Sequence, residues 1–204
     1  STNVMALLLN NAIVGRSGAE LEQIWHEAPI YVETTDYAAA FRQLSDKRVL
    51  VLTGEPGIGK TTLARQLVLE HAVNGFELVV LEESISEAEN IYSRDAKQLF
   101  YFDDFLGRTF LDALKAKQDS HVLRFIERIA RDAGKRFMLT SRTNILNQGA
   151  ALSDLYSNVN IVKNTYELRI GALSSLDRAR ILYNHIWHSK LSPTFVDELY
   201  LQKR

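Results

Sequence analysis

Short runs of apolar residues alternate along this chain with longer segments whose apolar positions recur at helical spacing. The short runs are continuous, which is typical of strands that are buried on both faces, and they lie at 47–54, 76–82, 98–104, 136–141 and 166–170. The segments at helical spacing lie at 36–44, 60–71, 119–134 and 176–189. This alternation predicts an α/β fold, in which a mostly parallel five-stranded sheet forms the centre of a three-layer αβα sandwich.

The N-terminal end of the chain carries a weaker pattern. Residues 1–29 contain only a short helical pattern, Ala19 to His26, and we expect them to form a connector ahead of a core at 30–172. Because the chain begins with Ser1 rather than methionine, we expect it to be a piece of a longer protein.

The C-terminal residues 173–204 are predicted to be a helical extension, the start of a lid or of a next domain. Ser174 or Ser175 is the expected N-cap of its first helix, because serine hydroxyls accept hydrogen bonds from free amides of the first turn. A last short helix is expected from Ser192-Pro193, since proline suits a first helical turn.

Composition narrows the class of protein. The chain has 204 residues and is 46% hydrophobic, which is enough for one substantial core. A net charge of -1 gives no direct evidence for binding nucleic acid or an anionic membrane. The absence of cysteine excludes disulfides, thiolate zinc sites and cysteine catalysis. The early apolar run Val4 to Leu9 is too short to span a membrane, so a cytoplasmic protein is expected.

One turn carries a complete phosphate-binding pattern. The residues Gly54-x-x-x-x-Gly59-Lys60-Thr61 follow a predicted strand and precede a predicted helix. Glycines allow backbone conformations that are closed to other residues, so successive amides can point at phosphate oxygens next to the positive end of the helix. The Lys60 ammonium would reach the β- and γ-phosphates, and the Thr61 hydroxyl would bind Mg²⁺.

The expected nucleotide contacts extend over the whole turn. They are Gly54, Glu55, Pro56, Gly57, Ile58, Gly59, Lys60, Thr61 and Thr62. The alternative is a glycine-rich connection between a strand and a helix that binds no ligand.

A pair of carboxylates follows the third predicted strand. Asp103 is expected to hold Mg²⁺ across from the loop, together with Thr61. Asp104 could polarise the attacking water or only shape the site. Two adjacent acids at the end of a strand are also compatible with a solvated turn.

Arg142 ends the fourth predicted strand, in the sequence Leu-Thr-Ser-Arg. Ligands of parallel α/β sheets bind outside the carboxyl ends of the strands, so this arginine is placed to approach a γ-phosphate and report its presence. A surface arginine at a strand end is the alternative.

These motifs together resemble the STAND class of signal-transducing P-loop NTPases. The segments GEPGIGKTTLAR, QLFYFDDFLGR and LTSR are most similar to the novel STAND subgroup of bacterial defence and signalling proteins. YVETTDYAAAF and YELRIGALSSLDRARILYNHIW resemble the same subgroup, and the resemblance covers nearly all of 30–187. It implies that residues 30–172 form the P-loop NTPase core.

The resemblance also implies a function. The domain would be a switch that binds ATP with Mg²⁺ and hydrolyses it slowly, with Lys60, Asp104 and Arg142 as catalytic residues. ATP would stabilise an open state that assembles, and ADP a closed one. Effector and sensor domains would lie outside this chain, and self-association would occur through the full-length protein.

Two further sites follow from the resemblance. Tyr31, Val32 and Thr34 are expected to be neighbours of the base. Residues 14–21, VGRSGAEL, are similar to the nucleotide-binding GR-x-x-E segment of other STAND proteins, although Glu20 comes one residue late. The winged-helix segment of many relatives is missing or only begun.

Other P-loop functions remain open at this point. An AAA+ type remodelling ATPase shares the same core, but such proteins usually carry a glutamate where Asp104 stands. A small-molecule kinase would need an arginine-rich lid, and a nucleotide-binding module would lack turnover. No Asn-Lys-x-Asp segment that would read guanine is present, so ATP is favoured over GTP.

Overall fold

The structure, a computed structural model, describes residues 2–82, 84–103, 119–142 and 165–189, with the backbone alone for 2–9 and 119–123. Its helices are α1 (Thr2–Glu27), α2 (Thr35–Lys47), α3 (Lys60–Val73), α4 (Ile85–Ile91), α5 (Asp119–Arg131) and α6 (Ser175–His188), and a 3-10 turn follows α1 at Ala28–Ile30. Its strands are β1 (Val49–Gly54), β2 (Glu77–Leu81), β3 (Gln98–Phe102), β4 (Lys135–Arg142) and β5 (Glu167–Arg169).

The five strands form one sheet in the order β2-β3-β4-β1-β5, and each neighbouring pair is parallel. β1 and β3 are buried along their whole length, as their continuous apolar sequences predict. Because all strands point the same way, the carboxyl ends of β1, β3, β4 and β5 lie along the same side of the sheet. The predicted five-stranded parallel sheet is therefore confirmed.

The core lies on both faces of this sheet. On one face, alternate residues of the central strands pack against α4 and α5, and Phe125 meets Phe100 and Phe137 edge-on at 5.3 and 5.6 Å between ring centroids. On the other face, the intervening residues pack against α2 and α3. This alternation is the period of two of a strand, and it confirms the three-layer arrangement.

Helix α1 differs from the short helix that the sequence predicted near residues 19–26. It runs from Thr2 to Glu27 and crosses the β2 edge of the sheet, so Ile13 is buried in one apolar cluster and Ile24 in the other. The segment expected to be a connector is thus packed on the core. The division of the chain at residue 30 stays a prediction.

Polar contacts explain why the apolar pattern of α1 was weak. The Ser17 hydroxyl accepts a hydrogen bond from the Val80 amide at 2.9 Å, and Arg16 Nε donates to the Val80 carbonyl at 2.9 Å. Among the strands that the structure describes, β2 lies at the edge, and none pairs with these groups on that side. Hydrogen bonds as well as apolar contacts therefore attach α1 to the sheet.

The C-terminal elements agree with the sequence where they are described. The Ser174 hydroxyl accepts a hydrogen bond from the Asp177 amide at 3.0 Å, so Ser174 is the N-cap of α6. The short helix expected from Ser192-Pro193 lies outside the described residues. Helix α4 was not predicted, because its seven residues are too few for a helical pattern to stand out.

Candidate functional site

The phosphate-binding pattern lies between β1 and α3, as the sequence predicted. Gly57 and Gly59 have φ angles of +76° and +98°, in the left-handed region that favours glycine. Gly59 is the residue before the first residue of α3, so the loop lies against the positive end of that helix. This backbone is the one that an anion-binding loop requires.

The Lys60 side chain folds back over this loop. Its ammonium donates hydrogen bonds to the carbonyl oxygens of Gly54 at 3.1 Å and Glu55 at 2.9 Å. A phosphate oxygen entering the loop could take the place of either carbonyl. The lysine is therefore held at the position where its charge would meet a bound phosphate.

Asp103 follows β3 directly and joins three elements. Its carboxylate accepts hydrogen bonds from the Thr61 hydroxyl of α3, at 3.2 Å to Oδ1 and 3.3 Å to Oδ2, and from the Thr140 hydroxyl of β4. Mg²⁺ prefers oxygen ligands and needs only one or two from the protein when it also binds phosphates and water. The Thr61 hydroxyl and the Asp103 carboxylate fit that requirement.

The structure brings Thr140 to Asp103, a contact that the sequence did not indicate. Thr140 is 1% exposed and Ser141 is fully buried, so the end of β4 is packed beside the acidic group. Asp104, the second acid of the predicted pair, lies outside the described residues.

Tyr101 precedes Asp103 by two residues in the chain and is 1% exposed. Burial raises the pKa of its hydroxyl far above the usual range, and the negative charge of Asp103 raises it further. The hydroxyl therefore stays protonated.

Arg142 is the last residue of β4, and its side chain is exposed. It pairs in register with Gly54, the first residue of the phosphate-binding pattern. The parallel arrangement of β1 and β4 thus places the arginine beside the loop, as the sequence predicted from strand ends alone.

A cavity of about 360 Å³ opens beside the loop. The apolar part of its lining includes Ile24, Val32, Ile58, Ile170, Leu173 and Ile181. Tyr31 and Thr34, which the family resemblance placed near the base, also line it. The hydroxyl of Tyr31 is buried, and no hydrogen-bond partner for it occurs among the described residues.

The sequence did not anticipate two walls of this cavity. Ile24 and Glu27 come from the end of α1, and Ile181 and His185 come from α6. Their approach to the loop depends on how helices pack, which no local pattern reports.

The charged side chains of segment 14–21 pair with acidic residues near the end of β2 and with α3. Arg16 forms ion pairs with Glu82, at 3.2 Å, and with Glu87, both near the end of β2. Glu20 accepts a hydrogen bond from Arg65 of α3 at 2.9 Å. These charges attach α1 to the fold, and the similarity to a GR-x-x-E nucleotide segment stays a prediction.

Among the described helices, none is both long enough and apolar enough to cross a membrane.

The comparisons with known proteins agree with this geometry. A family model described as Novel STAND NTPase 3 matches residues 31–188. No curated protein sequence matches the chain significantly.

Solved structures share the fold. AMPPCP-bound DnaA from Aquifex aeolicus is 18% identical over 83% of this chain and 57% of its own, with a TM-score of 0.52. Domain III of the Thermotoga maritima replication initiation protein DnaA is 16% identical over 81% and 75%, with a TM-score of 0.54. Hsp104 in the S. cerevisiae Hsp104:casein complex is 15% identical over 81% and 31%, with a TM-score of 0.54.

Identities at this level establish the fold alone. The chain spans about half the length, or less, of the first solved chains that it matches.

Proposed function

The chain belongs to the Novel STAND NTPase 3 family, and from this premise we propose that it is the nucleotide-controlled switch of a larger signalling or antiviral-defence protein. The switch binds ATP with Mg²⁺ and hydrolyses it slowly. The nucleotide state then controls conformation and assembly of the full-length protein, which carries effector and sensor domains outside this chain. A cytoplasmic location stays a prediction.

One observation carries the proposal. The Asp103 carboxylate lies 3.2 Å from the Thr61 hydroxyl at the start of α3, beside a loop with two left-handed glycines. A loop of this backbone binds phosphates, and an adjacent hydroxyl and carboxylate bind the Mg²⁺ that accompanies them.

The roles of the loop residues follow from this arrangement. Gly54, Glu55, Pro56, Gly57, Ile58, Gly59, Lys60, Thr61 and Thr62 form the proposed contacts with the nucleotide. Bound Mg²⁺ supplies positive charge that offsets the charge of the β- and γ-phosphates. Lys60 adds a second positive charge, and Asp104 is the proposed group that polarises the attacking water.

We place the base in the cavity beside the loop. Gly57, Ile58 and Gly59 belong to the loop and also line the cavity. A single nucleotide could therefore place its phosphates in the loop and its base in the cavity. The apolar lining suits the faces of a purine ring. The buried Tyr31 hydroxyl supplies a hydrogen-bond donor for an acceptor on the edge of the ring.

Arg142 is the proposed sensor of the γ-phosphate. It lies beside Gly54 across the β1–β4 pair, at the edge of the sheet where the third phosphate would project. A switch requires ATP and ADP to differ in their affinity for two states, because tight binding alone shifts no equilibrium. An arginine that contacts only the γ-phosphate supplies such a difference.

The rate of phosphate release from Mg-ATP tests the proposal. We would compare the chain with a Lys60→Ala variant and with Lys97→Ala, in which an exposed lysine at the opposite edge of the sheet is removed. We expect slow turnover and retained nucleotide in the unaltered chain and in Lys97→Ala. Lys60→Ala should bind about 10- to 100-fold more weakly, since it loses a charge-assisted contact with phosphate.

Two results would count against the switch. Fast, continuous turnover that Lys60→Ala abolishes would support the alternative, an AAA+ type remodelling ATPase. Equal binding by Lys60→Ala and Lys97→Ala would contradict the nucleotide site itself.

A further inference from the structure

We propose that Gln66 makes this site prefer adenine over guanine, through hydrogen bonds between its side-chain amide and the N6/N7 edge of the base. This inference rests on the proposed function, because it concerns the nucleotide that the loop and the cavity would hold. It assigns a role in specificity to a residue that lies outside the phosphate-binding pattern.

Gln66 lies where the cavity extends away from the phosphate loop. The lining includes Gly57 and Gly59 of the loop, and Thr62 and Gln66 of α3. Side chains four residues apart share one face of a helix, so Thr62 and Gln66 stand on the same side of α3. At a rise of about 1.5 Å per residue, Gln66 lies about 9 Å further along the helix axis than Lys60. It is therefore placed past the phosphates, beside the part of the cavity assigned to the base.

The Gln66 amide is available to a ligand. The side chain is half-buried, and no hydrogen bond to its amide occurs within the described ranges. An amide carries a carbonyl oxygen that accepts hydrogen bonds and an NH₂ group that donates them. Gln66 can therefore bind a ligand that presents one donor and one acceptor side by side.

Adenine presents such a pair, and guanine does not. The N6 amino group of adenine donates and its N7 accepts, whereas O6 and N7 of guanine both accept. A glutamine amide matches the adenine edge with two hydrogen bonds, but its carbonyl oxygen would meet a second acceptor on guanine. The Tyr31 hydroxyl could donate to an acceptor on either ring, so it does not discriminate between them.

The arginine of the cavity is held by other groups. Arginine fits O6 and N7 of guanine, and Arg65 also lines the cavity. Its Nε donates to Glu20 at 2.9 Å, and its Nη1 donates to Glu27 at 2.9 Å. These ion pairs hold the guanidinium against α1 and offset its charge. The neutral amide of Gln66 is thus the better placed of the two to select the base.

His185 of α6 lines the cavity as well. Its Nδ1 donates to the Ile181 carbonyl at 2.9 Å, so Nε2 is the ring nitrogen that remains for a ligand. One nitrogen cannot match a donor and an acceptor at the same time. Gln66 is therefore the residue of the lining that suits the adenine edge.

Affinities for ATP, GTP and 7-deaza-ATP test the inference. We would measure them with Mg²⁺, by displacement of a fluorescent ATP analogue from the 204-residue chain and from Gln66→Met, which keeps the side-chain volume and removes the amide. A matched pair of base contacts discriminates by about 5- to 150-fold. We expect such a preference for ATP over GTP in the unaltered chain, and the loss of most of it in Gln66→Met.

7-deaza-ATP reports on the contact with N7 directly, because it lacks that acceptor. It should bind the unaltered chain about 2- to 12-fold more weakly than ATP, which is the effect of one neutral hydrogen bond. In Gln66→Met this difference should disappear. The comparison in the unaltered chain needs no variant, so it decides the question even if Gln66→Met does not fold.

The matched control is Gln43→Met. Gln43 of α2 carries the same amide, which donates to the Tyr166 carbonyl next to β5. This variant should keep both the preference for ATP over GTP and the preference for ATP over 7-deaza-ATP.

Each other outcome overturns the inference. If the unaltered chain binds ATP no better than GTP, or no better than 7-deaza-ATP, the cavity does not read the adenine edge. If Gln66→Met keeps both preferences, or Gln43→Met loses them equally, another group selects the base. A chain that binds none of these nucleotides contradicts the proposed function itself, which is a separate result from failure of Gln66 alone.

Discussion

Gly59 has one of the demanding backbone conformations of the phosphate loop. Its φ of +98° lies in the left-handed region, and it precedes the first helical residue, Lys60. The amides of this turn point inward only while that backbone is kept. A single residue thus connects a local steric property of glycine to the binding of phosphate.

We predict that Gly59→Ala weakens nucleotide binding about tenfold and lowers stability. A Cβ at this position would meet no atom within 4 Å, so the penalty comes from the backbone and amounts to about 1–2 kcal/mol. The chain can relieve the strain by leaving the left-handed region, which turns the amides away from phosphate. Nucleotide titration and urea unfolding measure the two effects.

Gly75→Ala is the control for this prediction. Gly75 has a φ of +83° and equally open surroundings, but it lies between α3 and β2, outside the phosphate loop. It should lose a similar free energy of unfolding and keep nucleotide affinity. Equal loss of affinity in both variants would mean that destabilisation alone explains the effect at Gly59.

At the scale of elements, helix α1 covers the β2 edge of the sheet. An edge strand presents unpaired amides and carbonyls, which are costly when they are shielded from water and invite pairing with other chains. Ser17 and Arg16 satisfy both groups of Val80. The end of the same helix contributes Ile24 and Glu27 to the proposed base cavity. One helix therefore joins the edge of the sheet to the nucleotide site.

We predict that Ser17→Ala lowers the free energy of unfolding by about 1–3 kcal/mol. The Val80 amide would lose its hydrogen-bond acceptor, and the site is buried, since Ser17 is only 5% exposed. Ser175→Ala is the control, since Ser175 is exposed at the start of α6. That change should stay within about 0.5 kcal/mol of the unaltered chain. Urea unfolding that shows equal effects would contradict the role assigned to α1.

At the scale of the whole molecule, parallel pairing of strands assembles the site. Lys60, Asp103 and Arg142 are far apart in the chain, and each follows or ends a different strand of one sheet. Because β1 lies between β4 and β5, the loop that follows it is flanked by the ends of both. The order of the strands therefore fixes where Lys60, Asp103 and Arg142 lie relative to the phosphates of the proposed nucleotide.

We predict that Arg142→Ala removes most of the preference for a non-hydrolysable ATP analogue over ADP. A charge-assisted hydrogen bond to the γ-phosphate contributes about 1.5–3 kcal/mol, and ADP cannot form it. Isothermal titration with each nucleotide and Mg²⁺ measures the ratio of affinities.

Arg169→Ala is the matched control, because Arg169 ends the strand on the other side of β1 and is also exposed. It should leave the ratio unchanged. If both variants reduce the ratio equally, Arg142 does not read the γ-phosphate specifically.

The sequence by itself determined the strands, most of the helices and the chemistry of the phosphate loop. These features are local: a strand of five to eight residues is recognisable from its own apolar run, and Gly54 to Thr61 is a contiguous motif with a physical requirement at each position. Asp103 and Arg142 were also placed correctly at the ends of recognisable strands, while their roles stay predictions. The family match over residues 31–188 agrees with that reading.

Tertiary structure alone decided which distant groups meet. The contact of Ser17 with Val80, the approach of Ile24 to the loop and the hydrogen bond of Thr140 to Asp103 depend on packing between elements that are separated in the chain. Tyr101 sits in a continuous apolar run, where periodicity marks it as core and says nothing of its hydroxyl. Local patterns predict which face of a helix or strand a side chain lies on. Which group from another element it contacts there is fixed only by the tertiary structure.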